Sequence, residues 1–204
     1  MKIICIGRNY VDHAKELNNP IPSQPLIFCK PDSAIHQKKN PFYIPSFTND
    51  LHYETEIVVK ISRLGKGINQ KFAHKYYNQI GLGIDFTARD IQQECKEKGW
   101  PWERAKSFDS SAVMGSEFIN KSTFESAENI PFKMFLNGEI AQDGNTKDMI
   151  FSIDKLIVEI SKIFTLKIGD LIFTGTPAGV GPVKPGDLLE GYLGDKKLID
   201  LRIR

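Results

Sequence analysis

One strand-like segment, residues 52–61, constrains the fold of this chain more than any other stretch of its sequence. It reads HYETEIVVKI, alternates at first, and is rich in the β-branched residues that favour a β-strand. Side chains two residues apart project from the same face of a strand, so Glu54 and Glu56 are neighbours. The chain must therefore accommodate a strand on which two carboxylates repel each other.

The rest of the pattern predicts an α+β chain dominated by β-structure. Three further strands are indicated by apolar runs that Gly or Pro interrupts or follows: 2–6, 26–29 and 79–87. Three helices are indicated by composition and apolar spacing: about 10–17, 88–98 and 153–163. Asn137-Gly138 predicts a hairpin, and Ser152 is a suitable N-cap for the last helix. The order of elements lacks the βαβ rhythm of a doubly wound sheet.

Length and composition are those of an ordinary globular chain. The 204 residues correspond to one large domain or two small ones. Hydrophobic residues make up 41% and charged residues 25%, which argues against a disordered chain. The formal net charge of +2 provides no electrostatic case for nucleic acid as a partner.

The cysteines and the N-terminal segment bear on the cellular compartment. Cys5, Cys29 and Cys95 are odd in number and far apart, which indicates reduced thiols rather than a disulfide framework. No apolar run approaches the ~18 residues that a transmembrane helix needs. Arg8 interrupts the first apolar run before the core of a signal peptide could form. We therefore expect a cytoplasmic protein with no membrane partner.

A third carboxylate makes the pair on segment 52–61 a candidate metal site. Asp85 lies at the end of another apolar strand-like run, where it could join Glu54 and Glu56 in an all-oxygen site. Such ligands suit Mg²⁺ or Mn²⁺ rather than zinc. The alternative is that both glutamates lie on a solvated strand face and pair with Lys or Arg.

His13 and Glu16 form a candidate catalytic pair. They are three residues apart on the first predicted helix, a spacing that places imidazole and carboxylate side by side. Glu16 could then orient and polarise His13 as a general base. The alternative is a surface histidine that happens to lie beside a surface glutamate.

Three further places in the sequence could meet a substrate. Arg89 and Gln92 open the helix that follows Asp85, and a helix N-terminus with an arginine can bind a carboxylate. Lys106, in AKSFD, could be a partly buried cation. Thr176 belongs to TGTPAGVGP, a glycine-rich turn of the kind that exposes backbone N–H groups to an anion. The alternatives are a helix-start charge pattern at Arg89 and a solvated side chain at Lys106.

Taken together, these motifs resemble the fumarylacetoacetate hydrolase family. The resemblance rests on GRNYVDHAKEL, LHYETEIVV, GIDFTARDIQQECKEKGWPWERAKSFD and FTGTPAGVGPV, and extends from about residue 7 to 191. It is closest to the short branch of acylpyruvate hydrolases and oxaloacetate decarboxylases. It implies a single catalytic domain over 1–204 with a mixed β-sandwich roll, usually a homodimer. It also implies a divalent metal, Mg²⁺ or Mn²⁺, on Glu54, Glu56 and Asp85.

The resemblance also implies roles for the other candidates. His13 and Glu16 match the family's catalytic dyad, which a lid segment of about 8–24 carries. The chain departs from the expected pattern around 18–24, which follows the dyad. Four more positions match family active-site residues: the active-site lysine Lys106, the polar substrate-contacting Arg89 and Gln92, and Thr176, which contacts the carboxylate end of the substrate.

The function that follows first is metal-dependent hydrolysis of a 3-acylpyruvate, a small 2-oxo acid, to pyruvate and a carboxylic acid. His13, oriented by Glu16, would deprotonate the attacking water, and Lys106 would stabilise the oxyanion. The same site would equally serve an oxaloacetate decarboxylase or tautomerase, or an isomerase or hydratase of a 2-oxo-diene acid. A metal-stabilised binding protein without catalysis is the alternative from a different class.

Overall fold

The computed structural model of the protein describes residues 1–16, 20–38 and 40–204. Its strands are β1 (Ile3–Gly7), β2 (Leu26–Lys30), β3 (Leu51–Tyr53), β4 (Thr55–Ile61), β5 (Tyr77–Asp85), β6 (Thr87–Ala88), β7 (Ala112–Met114), β8 (Ile119–Asn120), β9 (Pro131–Leu136), β10 (Glu139–Asn145), β11 (Leu171–Phe173), β12 (Gly181–Pro182), β13 (Leu188–Leu193) and β14 (Lys196–Arg202). Its α-helices are α1 (Val11–Glu16), α2 (Arg89–Lys98), α3 (Glu103–Lys106) and α4 (Ile153–Ile163).

The strands form three sheets. A seven-stranded sheet has the order β2-β1-β11-β4-β5-β7, with β8 also paired to β5. It is mixed, because β1 runs parallel to β11 while the other pairs are antiparallel. A four-stranded antiparallel sheet follows the order β10-β9-β13-β14, and a small third sheet the order β12-β3-β6. This architecture confirms the predicted β-dominated α+β fold, a mixed β-sandwich roll.

The two faces of the large sheet are covered differently. Ile57 and Val59 on β4 belong to a large buried cluster that the second sheet shares. Val58 belongs to a smaller cluster on the opposite face, together with Phe173. Because alternate residues of a strand share a face, Glu56 lies on the side of the smaller cluster. The candidate carboxylates are therefore turned away from the main core.

Several predicted elements are confirmed by the structure, and one is corrected. Helix α4 covers the predicted range 153–163, and the Ser152 side chain accepts a hydrogen bond from the N–H of Lys155. The predicted hairpin is β9–β10. Segment 52–61, however, is two strands that separate at Glu54, because β3 pairs within the third sheet while β4 pairs with β11 and β5.

The first predicted helix is the six-residue α1. Its predicted last residue, Leu17, lies outside the described residues, as do 18 and 19 within the predicted lid segment 8–24. The lid, like the single domain over 1–204, stays a prediction. In the described ranges no helix is long and apolar enough to cross a membrane, and the cytoplasmic location also stays a prediction.

Close packing around β5 places the candidate residues next to one another. A Cβ atom on Gly83 would lie 2.7 Å from Phe173 Cε1 and 2.8 Å from Val58 Cγ2. Only glycine fits at this distance, so β5 lies tightly beside β4 with Glu56 opposite Gly83. Asp85, two residues further on, ends the strand on the same face as Gly83.

Candidate active site

Three buried carboxylates meet where β4 begins and β5 ends. The backbone N–H of Asp85 donates to the carbonyl oxygen of Glu54 at 2.8 Å, which joins the two strands at this point. Glu54, Glu56 and Asp85 are 5%, 1% and 0% exposed. Each offers a carboxylate oxygen, and these oxygens lie within 4.8 Å of one another. The structure thus brings together the three residues of the predicted metal site, here named the carboxylate cluster.

Two cations balance Glu54. Arg89 Nη2 lies 2.6 Å from its Oε1, and Lys106 Nζ lies 2.8 Å from its Oε2. The same Lys106 nitrogen lies 2.9 Å from Asp85 Oδ2. Burial raises the pKa of Glu54, but Lys106 and Arg89 outweigh it and hold that pKa well below its ordinary value. Lys106 is therefore a buried ammonium that bridges two carboxylates, and not the solvated side chain of the alternative reading.

Glu56 lacks such a partner. Its Oε2 accepts a hydrogen bond from the backbone N–H of Gly175 at 2.7 Å, and no lysine or arginine in the described parts of the chain pairs with it. Burial, and then Asp85 and Glu54, raise the pKa of Glu56 well above its ordinary value. Gly175 has φ of +99°, and a Cβ there would lie 2.6 Å from Asn9 Cβ. The glycine-rich turn thus directs a backbone N–H at the Glu56 carboxyl group, and contact of Thr176 with the substrate stays a prediction.

Lys30 is a member of the site that sequence reasoning missed. It ends β2, its side chain is 0% exposed, and its Nζ lies 2.7 Å from Asp85 Oδ1. The same ammonium donates to Ser111 Oγ at 3.0 Å and to the carbonyl oxygen of Lys106. Its position in the apolar run LIFCK was the available signal, because a lysine at the end of a buried strand needs a buried partner.

The carboxylate cluster fits a divalent cation. Glu56 has no cationic partner among the described residues, and the Lys30 ammonium, 2.7 Å from Asp85 Oδ1, is shared with Ser111 and the carbonyl oxygen of Lys106. A bound cation would offset the repulsion that raises the pKa of Glu56. Carboxylate oxygens are the donors that hard divalent metals prefer. Glu54, Glu56 and Asp85 could therefore hold such an ion.

The predicted His13–Glu16 pair is present in α1. His13 Nδ1 lies 3.3 Å from Glu16 Oε2, and Glu16 Oε1 accepts a hydrogen bond from the backbone N–H of Gly179 at 3.0 Å. His13 is buried, and burial lowers its pKa although Glu54 and Glu16 act to raise it. The imidazole is therefore neutral near pH 7, and with Nδ1–H directed to Glu16 its Nε2 is the nitrogen that can accept a proton.

A small cavity of about 30 Å³ collects most of the predicted residues. The predicted residues that line it are His13, Glu54, Arg89, Gln92 and Lys106. Arg89 Nη1 donates to Gln92 Oε1 at 2.7 Å, so Gln92 and Glu54 together hold the guanidinium. Arg89 Nε is buried and has no partner among the described residues. That Arg89 and Gln92 contact substrate stays a prediction.

Thr176 lies apart from this cavity, in the loop that follows Gly175. Gln142 Nε2 donates to Thr176 Oγ1 at 2.8 Å, and Gln142 Oε1 accepts the N–H of Thr55 at 3.0 Å. Gln142 therefore ties the loop to the start of β4, next to Glu54 and Glu56. Gln142 was not predictable from the sequence, because these contacts join residues that are 34 and 87 positions apart.

Comparison with known proteins agrees with this architecture. The model of the "Fumarylacetoacetate (FAA) hydrolase C-terminal" family matches residues 2–203. The chain is 43% identical over 188 residues to "Oxaloacetate tautomerase FAHD1, mitochondrial" of Bos taurus, covering 92% of this chain and 85% of that protein. It is 44% identical over 190 residues to "Oxaloacetate decarboxylase, mitochondrial" of Dictyostelium discoideum, covering 93% and 87%.

Solved structures include the same fold. The crystal structure of fumarylpyruvate hydrolase from Pseudomonas aeruginosa, in complex with Mn²⁺ and pyruvate, covers 100% of this chain and 89% of its own. The two share 33% sequence identity and a TM-score of 0.92. The chain therefore belongs to the fumarylacetoacetate hydrolase family, as the sequence motifs predicted. It is an enzyme of that family.

Proposed function

We propose that this enzyme catalyses the keto–enol tautomerisation of oxaloacetate. The observation that carries the proposal is the position of the His13–Glu16 pair, with His13 on a cation-rich cavity beside the carboxylate cluster. Relatives named for oxaloacetate support this alternative better than the acylpyruvate hydrolysis that the sequence led us to place first. In tautomerisation a proton moves from C3 of the substrate to its 2-oxo oxygen.

Each residue of the site has a task in this reaction. Glu54, Glu56 and Asp85 would hold Mg²⁺ or Mn²⁺, which supplies Lewis-acid stabilisation of the charge that develops on the 2-oxo group. His13 Nε2 accepts the proton from C3, and the carboxylate of Glu16 stabilises the imidazolium so formed. Lys106 contributes a fixed positive charge next to the enolate oxygen. His13 then returns its proton to that oxygen, so the proton balance closes.

Substrate entry requires the cavity to widen. Its volume of about 30 Å³ has room for roughly two water molecules, because each needs ~10–15 Å³ of such space. A four-carbon diacid is larger, so part of the wall must move. Helix α1 supplies His13 to that wall and belongs to the predicted lid segment 8–24, whose movement would admit the substrate.

Decarboxylation of oxaloacetate is the second candidate, favoured by the similarity to the Dictyostelium discoideum protein. It would pass through an enolate that the same charges stabilise. Hydrolysis of a 3-acylpyruvate would instead require His13 to deprotonate a water molecule. The isomerase and hydratase alternatives also use the same site. The predicted homodimer and the small 2-oxo acid ligand are part of this proposal.

Two parallel assays test the function. The loss of enol absorbance from freshly dissolved enol-oxaloacetate would be followed in the ultraviolet, with Mg²⁺, with Mn²⁺ and with chelator. Pyruvate release from oxaloacetate and from acetylpyruvate would be followed with a coupled dehydrogenase. We expect metal-dependent acceleration of enol loss that exceeds pyruvate release. Pyruvate release as fast as enol loss would make the enzyme a decarboxylase, and release from acetylpyruvate alone would restore the hydrolase.

A further inference from the structure

Two cationic side chains that line the cavity have no role in the proposed tautomerisation. Arg8 and Lys96 line it together with His13, Glu54, Arg89 and Lys106. Among the described residues Glu54 is the one carboxylate on this lining, and it already pairs with Arg89 and Lys106. In ranges 1–16, 20–38 and 40–204, Arg8 and Lys96 form no ion pair and no side-chain hydrogen bond. Two positive charges therefore face the cavity without an anion.

Repulsion between Arg8 and Lys96 and the loss of their hydration make this arrangement of charges unfavourable by itself. Lys96 is half-buried in α2, and burial, followed by the charges of Arg8 and Arg89, lowers its pKa. Arg8 is also half-buried, and burial lowers its pKa as well. An anion placed between the two side chains would relieve both the repulsion and the loss of hydration.

The position of Arg8 is fixed by the fold around it. Its φ is +58°, a left-handed conformation that residues other than glycine seldom adopt and that persists at functional sites when neighbours enforce it. The neighbour is Asn9, fully buried, whose Nδ2 donates to the carbonyl oxygens of Thr174 at 2.8 Å and Phe151 at 3.0 Å. Asn9 Oδ1 accepts the N–H of Phe151 at 2.8 Å. Arg8 is thus directed by a rigid support.

We propose that Arg8 and Lys96 bind the second carboxylate of a dicarboxylic 2-oxo acid and so select dicarboxylates over monocarboxylic 2-oxo acids. This rests on the proposed function, in which the 2-oxo acid end of the substrate lies at the carboxylate cluster. Arg89 and Lys106 are committed to Glu54 at that end, whereas Arg8 and Lys96 are uncommitted. A substrate with a neutral group at its far end would leave both cations unpaired. A binding site whose buried polar groups pair with one group of the substrate discriminates against analogues that lack that group.

The test compares oxaloacetate with its 4-methyl ester, which carries no charge at the far end. We expect the native enzyme to prefer oxaloacetate by roughly 100-fold or more in kcat/KM for enol loss. In the double variant Arg8→Met, Lys96→Met the preference should fall below about tenfold. Lys98→Met is the matched control, because Lys98 lies on the same helix, is exposed and pairs with Glu94, so the native preference should persist.

Each outcome decides something different. A double variant that keeps the native preference would overturn the inference. If the double variant fails to fold, as judged by its thermal transition, Lys96→Met alone replaces it, with at least a several-fold loss of preference expected. If the native enzyme turns over neither compound, the proposed function fails. In that case calorimetry with Mg²⁺ present measures the dissociation constants of the two compounds, and their ratio tests the inference independently of turnover. Equal dissociation constants would refute the inference.

Discussion

The carboxylate cluster and the His13–Glu16 pair are held in the fold by different means. Glu56 and Asp85 lie on central, hydrogen-bonded strands of the large sheet, surrounded by fixed cations and backbone donors. His13 and Glu16 lie on a six-residue helix, which the Glu16–Gly179 hydrogen bond joins to the opposite loop. Like charges that are buried together need a rigid setting with opposite charges and hydrogen-bond donors already in place, whereas a proton carrier must sit where substrate enters.

The difference separates two classes of experiment. Changes in the carboxylate cluster should alter metal affinity and the free energy of unfolding. Changes in the His13–Glu16 pair should alter the reaction rate while leaving metal affinity and stability in place. The five predictions that follow run from the largest expected effect to the smallest.

The largest effect is expected from Glu56→Gln. The amide removes a charge from the cluster, so divalent metal binding and activity should fall to background. Metal at about 100 times its Kd should raise the free energy of unfolding of the native protein by about 2.7 kcal/mol, and this gain should vanish in the variant. In chelator the variant should be more stable than the native protein, because the repulsion that raises the pKa of Glu56 is gone.

Thermal unfolding with and without Mn²⁺ measures both changes. Glu139→Gln, on the exposed start of β10, is the control and should behave like the native protein. A Glu56→Gln variant that still gains stability from Mn²⁺ would exclude Glu56 as a ligand.

His13→Gln should lower kcat for enol loss by roughly 10²–10⁴-fold, since the variant lacks a general base. Metal affinity should be unchanged, because His13 lies outside the carboxylate cluster. Calorimetric titration with Mn²⁺ beside the rate assay checks both statements. His74→Gln, at an exposed position, provides the control. Loss of metal binding in His13→Gln would erase the distinction between the two regions.

Lys30→Met should lower the free energy of unfolding by about 3–5 kcal/mol, because it leaves the Asp85 carboxylate short of a buried partner. Chemical denaturation in chelator measures the change. Lys98→Met removes an exposed lysine that pairs with Glu94, and the effect should be far smaller. Equal losses in the two variants would show that Lys30 does not support the cluster.

Glu16→Gln should lower kcat by about tenfold while metal affinity is kept. The single amide oxygen can accept Nδ1–H of His13 or the N–H of Gly179 but not both, and it no longer offers the stronger bond of a carboxylate to the imidazolium. Rate assays over a range of oxaloacetate concentrations give kcat, and Mn²⁺ titration gives the affinity. If the metal were lost in this variant, the assignment of Glu16 to the catalytic pair would be wrong.

The smallest effect concerns pH. Because burial lowers the pKa of His13, the base form persists to more acidic pH than for a free histidine, and kcat/KM should fall only below a midpoint under 6.5. Glu16 acts to raise that pKa, so Glu16→Gln should move the midpoint lower still. A pH profile of metal-saturated enzyme measures both midpoints, and a native midpoint above 6.5 would contradict the buried, neutral histidine.

Relations between residues close in sequence were predictable. The i, i+3 pair His13 and Glu16 follows from helix geometry, and the structure places it as expected. The same holds for α4, whose N-cap and apolar spacing define its bounds. Glu54 and Glu56 also come together, although Glu54 lies between β3 and β4 rather than within one strand. The break of segment 52–61 at Glu54 was not predictable, because it depends on which sheet each half joins.

The sequence by itself thus determined α4, the β9–β10 hairpin and the His13–Glu16 pair, since these depend on helical periodicity, turn residues and short spacings. Only the tertiary structure decided that Lys30 meets Asp85, that Gln142 ties Thr176 to β4, and that Arg8 and Lys96 face one cavity. Those contacts join distant strands and loops. They exist because a buried charge needs a partner from whichever element the packing brings beside it.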